Sequence, residues 1–428
     1  MREVYADHAA TTAPAPEVVA AMLPYLGERF GNASSVHRRG EAAREAVEEA
    51  RAKVAALIGA APEEIVFTAS GSEANNLALK GALLAAADAA GSGPARRRLV
   101  VSAIEHPSVL ETARHLEARG YLLTIVPVEP SGVLDPERLE EALGPDVALV
   151  SVMWVNNEIG TVQEVARIAE AAHRAGAKMH CDAVQAVGKL PVAVAEAGVD
   201  LLSLAGHKFH GPPGVGALWV RRRTRLVPLV HGGHQERSRR AGTENLAAIV
   251  GLGAAAARAE RWIASDGPRL VAALGERLRQ ELCAAVTGAR LNGDPERRLL
   301  SIVNLRFAGV DGEAVLHELD RAGVTVSTGS ACSAASPGPS HVLMALGLRP
   351  EDAHASVRFS LGEWNTEADV DTVLGSVPPV VERLRALARE PGAPPGARAG
   401  AGPHANDEAP RPEAAVARAN EGERGDTP

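Results

Sequence analysis

The sequence predicts an α/β protein: a larger part built on a mainly parallel sheet, followed by a smaller α+β part. Three observations carry this. From about residue 65 to residue 205, short runs rich in Val, Ile and Leu alternate with helical patterns of roughly ten residues or more, the signature of βαβ units. Past Arg221 the alternation gives way to glycine-rich loops and a long alanine-rich helical stretch. With 428 residues, 46% hydrophobic and 23% charged, the chain is long enough for two or three domains, each with its own core.

Taken in order, residues 1–40 read as irregular, with Pro14, Pro16 and Pro24 and the polar run Gly31-Asn32-Ala33-Ser34-Ser35. From Glu41 to about Ile58 apolar residues recur at helical spacing, and Gly59 suits a C-cap. Ile65-Val66-Phe67 reads as a strand, Gly71-Ser72 as a turn, and Glu73 to Ala90 as a helix. A strand at Leu99–Ser102 leads through Glu105-His106-Pro107 to a helix from Val109 to Arg119. Further strands fall at Thr124–Val126 and Ala148–Val152, and a helix near Val165–Ala175 precedes Lys178-Met179-His180-Cys181-Asp182. Another strand ends in Leu204-Ala205-Gly206-His207-Lys208. The stretch from about Leu246 to Ala264 is a helix long enough to bridge two domains. From Val271 to about Leu387 come a helix, a strand (Ser301–Phe307), a helix (Gly312–Arg321), a Ser/Gly/Ala loop, another helix, a strand (Ser356–Leu361) and a last helix. Residues 389–428, rich in Pro, Gly, Ala and charge, cannot build a core and read as a disordered tail.

A net charge of −8 argues against a nucleic-acid or membrane-surface protein, which normally carries a basic face. The one basic run, Arg221-Arg222-Arg223-Thr224-Arg225, suits a solvated turn after a strand. No apolar run reaches the ~18–20 residues that span a bilayer, and the N-terminus has no signal-peptide core. Three cysteines, Cys181, Cys283 and Cys332, make neither a disulfide framework nor a paired zinc motif, so a reducing, cytoplasmic setting is expected.

Among 45 basic residues only five are lysines. Lys53, Lys80, Lys178 and Lys189 fall where a solvated lysine is expected. Lys208 instead ends an apolar strand between small residues. A desolvated amine there can form a Schiff base with a carbonyl; the bland alternative is a lysine snorkelling at a strand end. Ligands of a doubly wound sheet bind beyond the carboxyl ends of its strands, and other polar residues gather at such positions. Gly71-Ser72 opens a helix and offers backbone N–H groups to a phosphate, or is simply a cap. Asp182 ends one strand and Lys208 a later one. Together they match what pyridoxal 5′-phosphate (PLP) requires: a carboxylate for the pyridinium nitrogen and an amine for the aldehyde. Asn157 and Gln185 lie just past strand ends, within reach of a ring oxygen, and His106 is placed to stack or shuttle a proton. Cys332, in a run of small residues, reads as an exposed, usable thiol, whereas Cys181 and Cys283 suit inert packing. Arg358, inside an apolar strand, needs either a substrate carboxylate or an internal salt bridge.

On these residues the chain resembles the class I cysteine desulfurases, the NifS/IscS family of PLP enzymes of the aminotransferase class V type. The matching motifs are Asp7-His8-Ala9-Ala10-Thr11-Thr12, Phe30-Gly31-Asn32-Ala33-Ser34-Ser35, Phe67 to Asn76, Glu105-His106, Val155 to Gly160, Asp182-Ala183-Val184-Gln185, Gly206-His207-Lys208, Arg240-Ala241-Gly242-Thr243 and Gly329-Ser330-Ala331-Cys332. They span roughly residues 3–385. The resemblance implies the type I fold of PLP-dependent transferases, with a mainly parallel seven-stranded sheet. Residues 16–260 would form the large PLP-binding domain. Residues 1–15 would join a small domain at 261–388, which carries the cysteine loop.

Carried over residue by residue, it implies Lys208 as the Schiff-base lysine and Asp182 as the partner of the pyridine nitrogen. Gly71, Ser72 and His207 would hold the phosphate, with Thr243 reaching it from the other subunit of a homodimer. Asn157 and Gln185 would contact the ring oxygen, and His106 would stack on the ring and move a proton. Arg358, with Asn157, would hold the carboxylate of L-cysteine. Cys332 would attack the substrate sulfur and keep it as a persulfide, with L-alanine released. The sulfur acceptor would be an iron–sulfur scaffold or a tRNA-thiolation protein; the only metal role left open is transient cluster ligation by Cys332. Two departures stand out. Where the family commonly has a phosphate-binding serine this chain has Ala205, at a cost of about 1 kcal/mol. The usual Ser-Ser-Gly-Ser-Ala-Cys reads Ser327-Thr328-Gly329-Ser330-Ala331-Cys332. Competing readings are a selenocysteine lyase or other PLP lyase, and a non-catalytic sulfur-carrier scaffold.

Overall fold

A computed structural model of the protein describes residues 3–90, 96–328 and 338–389. Cys332 and nearly all of the expected tail at 389–428 lie outside the described residues. Twelve strands are present among the described residues, in chain order β1 (Val4–Tyr5), β2 (Ile65–Thr68), β3 (Arg98–Ser102), β4 (Leu122–Val126), β5 (Val147–Ser151), β6 (Lys178–Asp182), β7 (Leu201–Ala205), β8 (Gly216–Val220), β9 (Ala289–Leu291), β10 (Ile302–Phe307), β11 (Val324–Thr325) and β12 (Ser356–Ser360).

The central sheet has seven strands in the order β2-β8-β7-β6-β5-β3-β4. From β7 to β4 the pairing is parallel, and β8 runs antiparallel to both β7 and β2. The mainly parallel sheet predicted from the sequence is therefore observed, with one reversal. The segment between β7 and β8 is too short to hold the crossover helix a parallel return needs, so the chain turns back as a hairpin. Every residue of β5, β7 and β8 is buried, as expected for strands covered on both faces. The helix Leu246–Ile263 packs on the helix Arg38–Leu57; a Cβ on Gly253 would come within 2.6 Å of Ala50 Cα, so only glycine permits that approach.

A separate core lies under the antiparallel sheet β12-β10-β9 and the β1–β11 pair. Val4 and Ala6 pack there with Val303, Phe307, Val357, Phe359 and Val377, so the first residues of the chain join its last third. The expectation of an irregular segment over residues 1–40 is corrected by β1 and by a helix at Pro16–Met22. Pro16 stands in the first turn of that helix, where its missing N–H costs nothing. The carboxyl ends of β5, β6 and β7 and the start of the helix Gly71–Ala90 converge on one side of the sheet, and the site is built there.

Candidate active site

β7 ends at Ala205 and passes into a single 3-10 turn, Gly206–Lys208. The segment 7–12 lies across this turn. Thr12 donates from its backbone N and its Oγ1 to His207 O, at 2.8 and 2.9 Å, and His210 N donates to Thr12 Oγ1 at 2.8 Å. The half-buried Lys208 ammonium is thereby held over two carbonyls, Ala9 O and Ala10 O, each 2.7 Å from Nζ. The His207 ring meets Thr11 Oγ1 at 3.0 Å. Burial, with the Lys208 and Lys189 charges, lowers its pKa to about 4, so the ring is neutral at ordinary pH.

One strand over, Asp182 closes β6, only 4% exposed. Its Oδ1 accepts from Val184 N at 3.0 Å and its Oδ2 from Asn75 Nδ2 at 2.7 Å. Asn75 gives its other N–H to Ser108 Oγ at 2.9 Å, and Ser108 Oγ lies 2.8 Å from His106 Nδ1. His106 Nδ1 also accepts from Ser108 N, because His106 is the N-cap of the helix Pro107–Glu117. Nδ1 is thus the acceptor nitrogen, and the neutral ring carries its proton on Nε2. Burial, aided by Lys208 and His341 against the pull of Asp182, holds the His106 pKa below its ordinary value. A continuous line, Asp182–Asn75–Ser108–His106, so links a buried carboxylate to a neutral imidazole. Beneath it, His180 sits between Ser151 Oγ (2.8 Å) and Ser203 Oγ (3.0 Å) of the flanking strands, and burial lowers its pKa to about 4.

The first amides of the helix Gly71–Ala90 are orphan donors, as at any helix start. Gly71 is buried at this mouth: a Cβ there would lie 2.9 Å from Val184 Cγ2 and 3.3 Å from Ala205 Cβ. Ser72 is exposed at the same turn. Ala205 brings only a methyl group where a serine would bring a hydroxyl. Thr243 is exposed, on the loop whose Arg240 pairs with Glu73 of the helix's first turn. Gln185 is buried and donates from Nε2 to Ala9 O at 2.8 Å, the carbonyl that also receives Lys208.

Arg358 is 2% exposed and has an internal partner: its guanidinium donates to Asp7 Oδ1 at 2.6 Å and to Asn157 O at 2.9 Å, while Nε is buried without a partner. Of the two readings of this arginine, the internal salt bridge exists here. Cys181 is fully buried and burial pushes its thiol pKa well up, as an inert thiol requires. The chain on either side of Cys332 is fastened to site residues. Ser327 exchanges backbone bonds with Arg358 at 3.1 and 2.6 Å, Ser340 Oγ donates to Glu158 Oε2 at 2.5 Å, and His341 Nε2 donates to Glu105 O at 2.9 Å. Burial raises the Glu158 carboxyl to about pKa 7, and Glu105, wholly buried with Oε2 unpartnered, titrates well above the usual range.

Sequence reasoning missed Asn75, Ser108, Glu158 and Ser340. Asn75 stands one helical turn after Gly71, on the same face, and that spacing was the available signal. Lys189 is a correction: expected at a solvated position, it is half-buried, with Nζ 2.5 Å from Gln185 Oε1.

The profile of the aminotransferase class-V family matches residues 4–373. A cysteine desulfurase of Cereibacter sphaeroides is 49% identical over 389 residues, covering 90% of this chain and 98% of that one. Among solved structures, a NifS-like protein superposes with a TM-score of 0.82 at 34% identity, covering 90% of this chain and all of that one. SspA in complex with cysteine superposes with a TM-score of 0.74 at 36% identity, covering 85% of this chain and 100% of that chain.

Proposed function

The chain belongs to the aminotransferase class-V family and acts as a cysteine desulfurase, and on that footing we propose how the work is divided among its residues. The cofactor is pyridoxal 5′-phosphate, carried by Lys208, with Asp182 on its ring nitrogen. One observation carries this assignment. A buried carboxylate with two fixed donors ends β6, a lysine follows the end of the neighbouring β7, and Gly71, packed without a side chain against Val184 and Ala205, brings the mouth of a helix close to those strand ends. A phosphorylated, nitrogen-protonated ring with an aldehyde has a complementary group at each of these points. When bound, it supplies the electron sink that loosens bonds at the substrate carbons.

The protein's own residues do the rest. The Gly71 and Ser72 amides and His207 hold the phosphate, with Thr243 arriving from a second subunit. Asn157 and Gln185 address the ring oxygen. His106, neutral and protonated on Nε2, moves a proton at that nitrogen. Arg358, with Asn157, holds the carboxylate of L-cysteine, while Asp7 pairs with the guanidinium. The Cys332 thiolate takes the substrate sulfur: one C–S bond breaks, one S–S bond forms, the carbon skeleton gains a proton and leaves as L-alanine, and a persulfide remains on Cys332. Residues 16–260 form the cofactor domain, and 261–388 with 1–15 the smaller one. Exposed Leu23, Leu26, Phe30 and Val36 favour a homodimer. The persulfide then serves an iron–sulfur scaffold or a tRNA-thiolation protein in the cytoplasm; no helix among the described residues is long and apolar enough to cross a membrane.

Lys208→Ala tests the reading. The purified variant is expected to lack the yellow absorbance of the lysine-bound cofactor and to form no alanine from L-cysteine; substantial residual turnover overturns it.

A further inference from the structure

Lys189, expected at a solvated position, has specific surroundings. Gly188 adopts φ +81°, and a Cβ on it would fall 2.4 Å from Phe209 Cβ, so the turn presses against the residue that follows Lys208. Lys189 N donates to Ala186 O at 3.0 Å and fixes the backbone. Lys189 and Lys208 line one cavity of about 70 Å³ together with His8, Thr12, His210 and Glu363. From there Lys189 Nζ reaches Gln185 Oε1 at 2.5 Å, Gln185 Nε2 reaches Ala9 O at 2.8 Å, and Lys208 Nζ reaches the same carbonyl at 2.7 Å. Two lysines are thus joined through one carboxamide and one backbone oxygen.

We propose that Lys189 is a positioning residue for Gln185, dictating which end of the carboxamide faces the cofactor. The inference rests on the reading that Gln185 addresses the cofactor's ring oxygen. An ammonium has three donors and no acceptor, so the amide oxygen must turn toward Lys189. The amide nitrogen then has one hydrogen for Ala9 O and a second for the ring oxygen. In the reversed amide, N–H groups would face the Lys189 donors and the amide oxygen would face Ala9 O, a repulsive pairing at both ends. Without Lys189, nothing at that end selects the orientation. Burial beside Lys208 and Arg358 lowers the Lys189 pKa to about 7; the ammonium selects the orientation, whereas the neutral amine, whose lone pair can accept from a reversed amide, does not. An N–H donated to the ring oxygen favours its anionic form, and that stabilisation is lost when the amide reverses.

The test uses the full-length protein stripped of cofactor and titrated with PLP. Lys189→Met, which keeps the stem but removes every donor, is expected to weaken PLP binding roughly three- to tenfold, the range for losing one oriented hydrogen bond. It should also move the pH midpoint of the bound cofactor's visible absorbance upward. Lys189→Arg, a permanent donor, should restore both readings. In a Gln185→Ala background Lys189→Met should change nothing further, because there is no amide left to orient. Thermal unfolding of each apo-protein shows whether it is folded. If Lys189→Met is not, Lys189→Gln serves in its place, since an amide with both donor and acceptor cannot dictate an orientation. An unchanged affinity and midpoint in the Lys189 variant, or an effect undiminished without the Gln185 amide, overturns the proposal. Wild-type protein that takes up no PLP at all would instead defeat the cofactor assignment, and this inference with it.

Discussion

Asn75→Ala removes the residue that joins Asp182 to His106. Asn75 is 1% exposed, and its two N–H groups donate to Asp182 Oδ2 at 2.7 Å and Ser108 Oγ at 2.9 Å. After the substitution the buried carboxylate keeps the single donor Val184 N, at 3.0 Å. A hydrogen bond to a charged group is worth about 1.5–3 kcal/mol, and each 1.4 kcal/mol is about tenfold in rate. Alanine formation from saturating L-cysteine should therefore fall by roughly ten- to a hundredfold in kcat. On the proposed assignment the loss belongs in kcat more than in KM, because the bond orients the carboxylate proposed to address the ring and leaves Arg358, proposed to hold the substrate carboxylate, alone. Ser108→Ala should cost less, since Ser108 N still donates to His106 Nδ1 at 3.1 Å and holds its tautomer. The assay is steady-state alanine production alongside thermal unfolding, which separates a misfolded variant from an impaired one. A folded Asn75→Ala protein with kcat within about twofold of wild type would refute the reasoning.

Two further outcomes follow from neighbouring contacts. Ser340→Ala breaks the bond to Glu158 and the cap on Leu343 N at the far end of the Cys332 segment. It should cost about 1–2 kcal/mol of stability and slow persulfide formation in single-turnover experiments, while PLP titration stays at the wild-type affinity. Ala205→Ser places a hydroxyl beside the Gly71 helix mouth, and PLP dissociation measured by dialysis should slow by roughly fivefold, equivalent to about 1 kcal/mol; a serine that leaves retention unchanged would show that another group already fills the role.

Much of this architecture was legible because strand and helix periods were unambiguous between residues 65 and 205, where fully buried strands read as continuous apolar runs. β8 was legible as a strand ahead of the basic turn at Arg221, but its antiparallel direction was not, because it follows β7 through a Pro/Gly turn instead of a helix. β1 was missed because two residues are too few to show alternation, and its pairing with β11 spans most of the chain. In the site, Asp182, Lys208 and His106 stood out because charged or titratable groups at the ends of apolar strands need a reason to be there. Asn75 and Ser108 did not, since a polar residue in a helix or at a cap has an ordinary explanation, and only the three-dimensional path from Asp182 to His106 reveals their work. Lys189 was misread for a related reason. A lysine in a short connection is normally solvated, whereas this one reaches the side chain of Gln185.

The central claim, that sulfur leaves L-cysteine for Cys332, is tested most directly by mass measurement of the intact protein after a single turnover. Wild-type protein given L-cysteine without an acceptor should gain one sulfur atom, mapped by proteolysis to the peptide containing Cys332, with one alanine formed per sulfur gained. Cys332→Ala should keep its yellow colour, gain no sulfur and release no sulfide. Undiminished sulfide release from Cys332→Ala, or wild-type sulfur mapped to Cys283 instead, would contradict it.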